Sequence, residues 1–248
     1  MPLPTNEIVY PESDGEPMGE NSLQIKWILA LLLGFERHYQ DRPDVLVAAD
    51  MFWYPVEGRP DVATAPDVMI AFGRPKGERS SYKQWEEGGV APQVVIEVLS
   101  PSNTYHKRGK LARFYARHGV EEFYEYDPGA RELTMRLRTG RRLGPIVSAH
   151  GHTSARLGVR FEVSPGEELR VVGPDGSPFP HFNEIVGERT AHQEQLLVER
   201  RKVAEAERRA AAEARKAEQE RVKAAEERAG RERLAAKLRE LGIDPDAV

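Results

Sequence analysis

The chain has no cysteine, which excludes a disulfide framework, a thiolate zinc site and a cysteine nucleophile. It has no large excess of either charge. Its 36 Lys plus Arg against 40 Asp plus Glu give a formal net charge of −4, which argues against nucleic-acid binding through overall basicity. Long apolar runs are missing as well. The longest, Trp27 to Phe35, is nine residues between Lys26 and Glu36, far short of the roughly 20 needed to span a bilayer. The Pro-rich, acidic N-terminal stretch has no positively charged start of the secretory kind, so a cytoplasmic protein with no membrane partner is expected. There is no Gly-rich phosphate loop, and no nucleophile-elbow pattern surrounds Ser100 or Ser102. The seven histidines lack metal-ligand spacing, His150 and His152 being two apart in a Gly-flanked turn.

Charge is abundant, at 31% of the chain, but unevenly placed. Residues 191–241 hold 14 Lys plus Arg and 11 Glu, a net of +3, which leaves −7 for the remainder. Thirteen residues of that segment are alanine and none is proline, so helix propensity is high throughout. Two parts are expected: an acidic domain over 1–186 and a charged, Ala-rich helical tail over 187–248. A seven-residue ladder of Leu196, Val203, Ala210, Ala217, Ala224, Arg231 and Leu238 hints at a coiled coil. The companion ladder, beginning Glu199, Ala206 and Glu213, is mostly charged, whereas a two-stranded seam wants apolar residues at both. A weak coiled coil supporting a homodimer and a solvated single helix both remain open.

In the domain, Asn21 followed by Gln24 reads as a capping box, and Leu23, Trp27, Ile28, Leu31, Leu32 and Phe35 recur at helical spacing over residues 21–40. Three β-rich runs follow, Val45 to Tyr54, Asp67 to Phe72 and Gln93 to Leu99, with a long polar loop containing Tyr82 and Trp85 before the third. Those two aromatics could pack over a sheet edge or stack on a base. A second amphipathic helix is predicted over Lys107 to His118, ended by Gly119, then a strand from Glu122 to Tyr126. Further strands are expected at Glu132–Leu137, His152–Phe161 and Leu169–Val172. The fold class is α/β (α+β), in the order helix, three strands, helix, strand.

Glu97 is the most informative residue. It lies inside VVIEVL, a run apolar on both faces and hence a buried central strand, sharing a face with Val95 and Leu99. A carboxylate there is costly unless paired, hydrogen-bonded or on a metal. Asp67 poses the same question at the start of the preceding strand. Two carboxylates on neighbouring strands supply hard oxygen ligands for one Mg²⁺ or Mn²⁺. The alternative is that Asp67 caps a turn after Pro66 and that Glu97 pairs with an arginine.

The ordered set APDVMIAFG, SYKQWEEGGVAP, QVVIEVLSPSN, YARHGV and EEFYEYDP resembles the Uma-two family of restriction endonucleases, within the PD-(D/E)XK nuclease superfamily, over roughly residues 8–175. The charged tail resembles one found in a branch of that family. The resemblance implies a restriction-endonuclease-like core with added β-hairpins, metal-dependent endonuclease activity on DNA, and Asp67 and Glu97 as metal-binding catalytic carboxylates. The superfamily lysine belongs two residues after Glu97, where this chain has Leu99. The family typically offers a lysine from the following helix instead. Lys110 fits that spacing best, with Lys107 as the rival on helical-wheel grounds. Glu20 resembles an acid that many members add to the metal site, and is equally an ordinary acid near a helix N-terminus.

Access for DNA is expected through a local basic stretch, Lys107, Arg108, Lys110, Arg113 and Arg117, followed by Arg136, Arg138, Arg141 and Arg142. Leu99 leaves a second class open: a nuclease-fold binding or assembly module that no longer cuts and acts through its helical tail.

Overall fold

Apolar spacing of three and four residues produces the first helix. α1 (Ser22–His38) buries Trp27, Ile28, Leu31 and Phe35, while Leu23, at its start, stays 40% exposed. In this computed structural model the described residues are 10–11, 22–146 and 149–240, so the expected Asn21 cap and Glu20 lie outside them. Gln24 turns inward, and its buried Nε2 donates to the Val98 carbonyl at 2.9 Å. The chain divides into two units, Met1–Ile185 and Val186–Val248.

The β-rich run after α1 does not stay in one strand. β1 (Val45–Ala48) ends at a bend where Asp50 takes a positive φ of 49°, a left-handed conformation that Asp tolerates better than most residues. Its amide donates to the Pro66 carbonyl at 3.0 Å. β2 (Trp53–Tyr54) therefore leaves the sheet. β3 (Val68–Phe72) returns to it, and β4 (Tyr82–Lys83) forms inside the expected loop and pairs in parallel with β2. Tyr82 is fully buried and donates its hydroxyl to Val90 O at 2.9 Å, so it packs rather than offering a stacking surface.

β5 (Val94–Val98) is followed by α2 (Tyr105–His118), capped by the Thr104 side chain at one end and by Gly119 at φ 107° at the other. β6 (Glu122–Asp127), β7 (Glu132–Thr139) and β8 (Arg142–Pro145) complete a six-stranded sheet of order β1-β3-β5-β6-β7-β8. Only β5 and β6 pair in parallel within it, and α2 is the crossover that a parallel pair requires. The expected order of helix, three strands, helix and strand is α1-β1-β3-β5-α2-β6. The segment 152–161 is again split, into β9 (His152–Thr153) and β10 (Arg160–Glu162), which join β11 (Arg170–Val172) in a second sheet.

Alternation along the central strands assigns two cores. Val94, Ile96, Val98, Tyr124 and Tyr126 face α1 and the second sheet. Val95, Met69, Ala71 and Phe123 face Trp53, Tyr82 and Tyr115 of α2. Glu122, buried at the edge of the first core, accepts from the hydroxyls of Tyr124 and Ser154 and from the Arg156 amide, which ties the second sheet to β6. The tail is helical, α3 (Phe182–Glu240), with Leu196 and Val203 of its ladder 44% and 54% exposed.

Arg138 anchors α2 from below. Its guanidinium donates to the carbonyls of Ala116 at 2.7 Å, Val120 at 2.7 Å and Tyr115 at 3.3 Å, placing a cation at the negative end of the helix. Replacing it by methionine (Arg138→Met) keeps the stem but removes the donors. The expected cost is about 2 kcal/mol, read as a fall of roughly 4–8 °C in the thermal midpoint.

Candidate metal and nucleic-acid site

Register brings the two singled-out carboxylates together. β3 and β5 run antiparallel with Val68 opposite Ile96, so the next pair outward is Asp67 and Glu97. Both belong to the α2 face of the sheet, by the same alternation that places Met69 and Val95 there. Asp67 Oδ2 accepts the Val98 amide at 2.7 Å, and the side chains of Asp67 and Glu97 are themselves hydrogen-bonded. Asp67 therefore braces the adjacent strand as well as facing Glu97, and Val98 is held from both sides, its amide by Asp67 and its carbonyl by Gln24.

Glu97 is 7% exposed and pairs with no arginine among the described residues. Its Oε1 accepts the Tyr115 hydroxyl at 2.5 Å, and Thr64 hydrogen-bonds Tyr115 in turn. Burial pushes the Glu97 carboxyl well above the usual carboxylate range, and the Asp67 charge adds to that. The Tyr115 hydrogen bond pulls the other way, and Glu125 raises it further. Tyr115 is likewise raised, first by burial and then by the Glu97 charge. These effects favour a proton on the pair, where two carboxylates both staying charged without a cation is costly.

The arginine that Glu97 lacks belongs to its neighbour. Glu125 sits beside Glu97 across the parallel β5–β6 pair, and its side chain is 1% exposed. Arg108 Nε of α2 donates to one oxygen at 2.8 Å, and Arg136 of β7 takes the other. Neither Tyr115 nor Glu125 stood out as a site residue in the sequence. Tyr115 had been absorbed into the packing face of α2. Glu125 carried the very pattern that flagged Glu97, an acid inside a buried strand, in EFYEY.

Arg141 and Arg142 are exposed at the β7–β8 turn, and the other basic residues separate into two groups. Arg108, Arg136 and Arg138 are engaged with Glu125 or with helix carbonyls, which removes them from the expected DNA-facing set. Lys107, Lys110, Arg113 and Arg117 are exposed and line one cleft of about 630 Å³ between α2 and residues 61–64. Neither lysine ammonium makes an ion pair among the described residues. Leu99, at the usual lysine position, is buried at 7% exposure.

As to a metal, the donor chemistry fits. Two opposed carboxylates are the protein share that Mg²⁺ commonly takes, the rest of its octahedron being water and substrate phosphate. Among the described residues no group of three His, Cys, Asp or Glu could hold an ion.

The proton held by the pair predicts a pH effect on stability. A carboxyl raised in the folded state binds its proton more tightly there than in the unfolded chain. Its contribution is complete below the ordinary value of 4.5 and is lost as pH rises toward the folded value. Glu97→Gln keeps the shape and the acceptor for Tyr115 but carries no charge. The variant is expected to melt higher than the parent at pH 8, by roughly 2–4 °C for each kcal/mol relieved. The gap should shrink toward pH 4.5. Equal midpoints at both pH values would show that Glu97 is not strained.

Comparison with known proteins adds the following. A search of curated proteins returned no match. Among solved structures, one described as a "putative nuclease" from Anabaena variabilis is 15% identical, with 67% of this chain and 76% of that one covered and a TM-score of 0.38. A likeness at that level carries no argument. The model of one family, Uma2, matches residues 7–167. That match runs over well more than half of the chain, which therefore belongs to the Uma2 family, described as "Putative restriction endonuclease".

Proposed function

We propose that this protein hydrolyses phosphodiester bonds in DNA at the Asp67–Glu97 pair with a divalent metal, Mg²⁺ or Mn²⁺. The observation that carries the reading is the β3–β5 register, which sets two inward carboxylates against each other in a chain of an endonuclease family. A bound ion would lower the pKa of its water and neutralise charge on the scissile phosphate. Asp67 and Glu97 would hold that ion, with Asp67 kept in place by the Val98 amide. Tyr115 orients Glu97 by donating to one of its oxygens. Lys110, or Lys107 one turn earlier, would orient the attacking water or stabilise the developing oxyanion. Arg108 and Arg136 keep Glu125 neutralised beside Glu97, which limits the repulsion that a second free carboxylate would add.

A second reading has its own observation. Leu99 is buried where the superfamily lysine stands, and neither candidate lysine is ion-paired to the carboxylates. A nuclease-fold binding module that does not cut, acting through its helical tail, is consistent with that. Plasmid DNA separates the two. The purified full chain is expected to nick it only with Mg²⁺ or Mn²⁺, and Asp67→Asn and Glu97→Gln to remove the activity. Lys110→Ala should lower the rate by about 100-fold or more, in the range of a lost general acid–base group, and Lys107→Ala by much less. Absence of metal-dependent cleavage by the parent protein would sink the enzyme reading.

The same pair sets the pH profile. Metal must displace the proton that Glu97 holds, so the rate is expected to fall on the acidic side, with a midpoint above 4.5, the ordinary carboxylate value. A profile flat from pH 5 to pH 8 would speak against Glu97 as a ligand.

A further inference from the structure

The cleft along α2 extends beyond the carboxylate pair. Neither Asp67 nor Glu97 lines it, although Thr64 belongs to both, lining the cleft and hydrogen-bonding the Tyr115 that holds Glu97. One wall is the helix face of Lys107, Lys110, Phe114 and Arg117. The other is the short segment containing Val62 and Thr64. Asp61, the acid at its rim, is bound by Arg59 at 2.6 Å, so the lysines and arginines opposite keep their charge for a ligand.

The floor is apolar and aromatic. Phe114 is half-buried, and it contacts Trp53 edge-on at 5.6 Å and His118 at 4.6 Å between ring centres. Burial and then the neighbouring Arg117 lower the His118 pKa, which favours the neutral ring and aromatic surface over charge. The ladder of cations from Lys107 to Arg117 spans about 15 Å at 1.5 Å per residue, enough to follow a short run of nucleotides.

Size decides what enters. A cleft of about 630 Å³ lies within the range of pockets that hold one small ligand. A duplex, whose bases stay stacked and paired, cannot seat one of them there without extruding it. Cations on a rim above an aromatic floor are the pairing used to hold a single strand, with phosphates on the charges and a base on the ring.

We infer that the α2 cleft is a subsite for an unpaired strand of nucleic acid, seating one base on Phe114 with the adjoining phosphates along Arg113 and Arg117. The inference rests on the nuclease reading and narrows it, since the strand approaching Glu97 by way of Thr64 is then single-stranded or locally opened. Phe114 is the specificity-determining residue, favouring strands whose bases are free.

Binding without cleavage tests it. The full chain in EDTA is titrated against labelled oligothymidine, oligouridine and a duplex, each of about 16 nucleotides or base pairs, and followed by fluorescence anisotropy. The single strands are expected to bind at least about 10-fold more tightly than the duplex, and the two together distinguish a DNA from an RNA source. Phe114→Ala should remove about 10-fold or more of strand affinity, the worth of one base stack, and leave the duplex unchanged. Because Phe114 also packs on Trp53, the exposed variants Arg113→Ala and Arg117→Ala form a second arm. Each should flatten the salt dependence of strand binding by about 0.7 in log–log slope. A duplex bound as tightly as the strands, or unchanged slopes in both arginine variants, would overturn the subsite. A protein that cuts plasmid yet shows no strand preference loses this inference and keeps its nuclease reading. One that binds strands through Phe114 but never cuts does the reverse.

Discussion

Two acids facing each other across antiparallel strands, at the rim of a desolvated core, form an arrangement that folding alone would not select. Burying one carboxylate is expensive, and setting a second against it is more so. Around the Asp67–Glu97 pair the molecule meets that cost locally. Glu97 is shifted toward its protonated form, a tyrosine hydroxyl is donated to it, a backbone amide is donated to Asp67, and the nearby Glu125 is paired with two arginines. The position of α2 follows from this set of partners, since Tyr115 and Arg108 both reach down from it to the sheet. Arg138 then fixes the far end of the same helix.

This accounts for an apparent contradiction in composition. The chain is slightly acidic overall, and several arginines near the site are consumed internally. The exposed cations that would face a polyanion lie on one face of α2 and at Arg141 and Arg142, so their placement matters more than net charge. Cations at fixed positions beside a low-dielectric wall attract a phosphate more effectively than the same number spread over a surface. The engaged arginines contribute differently, by holding the helix that carries the free ones.

Much of the fold was legible in the sequence because its central strands are apolar on both faces and its helices keep helical spacing. The order α1-β1-β3-β5-α2-β6 followed from those patterns together with Pro and Gly boundaries. What could not be read were the breaks inside β-rich runs. Nothing in VLVAADMFWY marks Asp50 as left-handed until its amide is seen bound to Pro66 O, a contact made across the fold. The run His152–Phe161 hides a turn for the same reason. For the site, Asp67 and Glu97 could be singled out because an acid in an apolar strand is anomalous. Their apposition depends on register, which is a pairing property. Glu125 and Tyr115 were hidden by aromatic neighbours that made each look like ordinary packing. The lysine role is not legible in the same way, because Leu99 stands where the pattern puts it and the replacements are on a helix face shared by four cations.

The backbone of Val98 has an unusual position in this network. Its carbonyl is tied to α1 through Gln24 and its amide to Asp67, so the two peptide planes that meet at its Cα connect a helix on one side of the sheet to a carboxylate serving the other. Each plane is rigid, so displacement at either end can be taken up only by the two dihedrals of Val98 between them. Any cation that draws Asp67 toward itself must therefore polarise or stretch the Val98 amide bond. That single N–H is in effect a built-in spectroscopic gauge of what the carboxylates hold, readable in its proton and nitrogen frequencies without a label on the ligand.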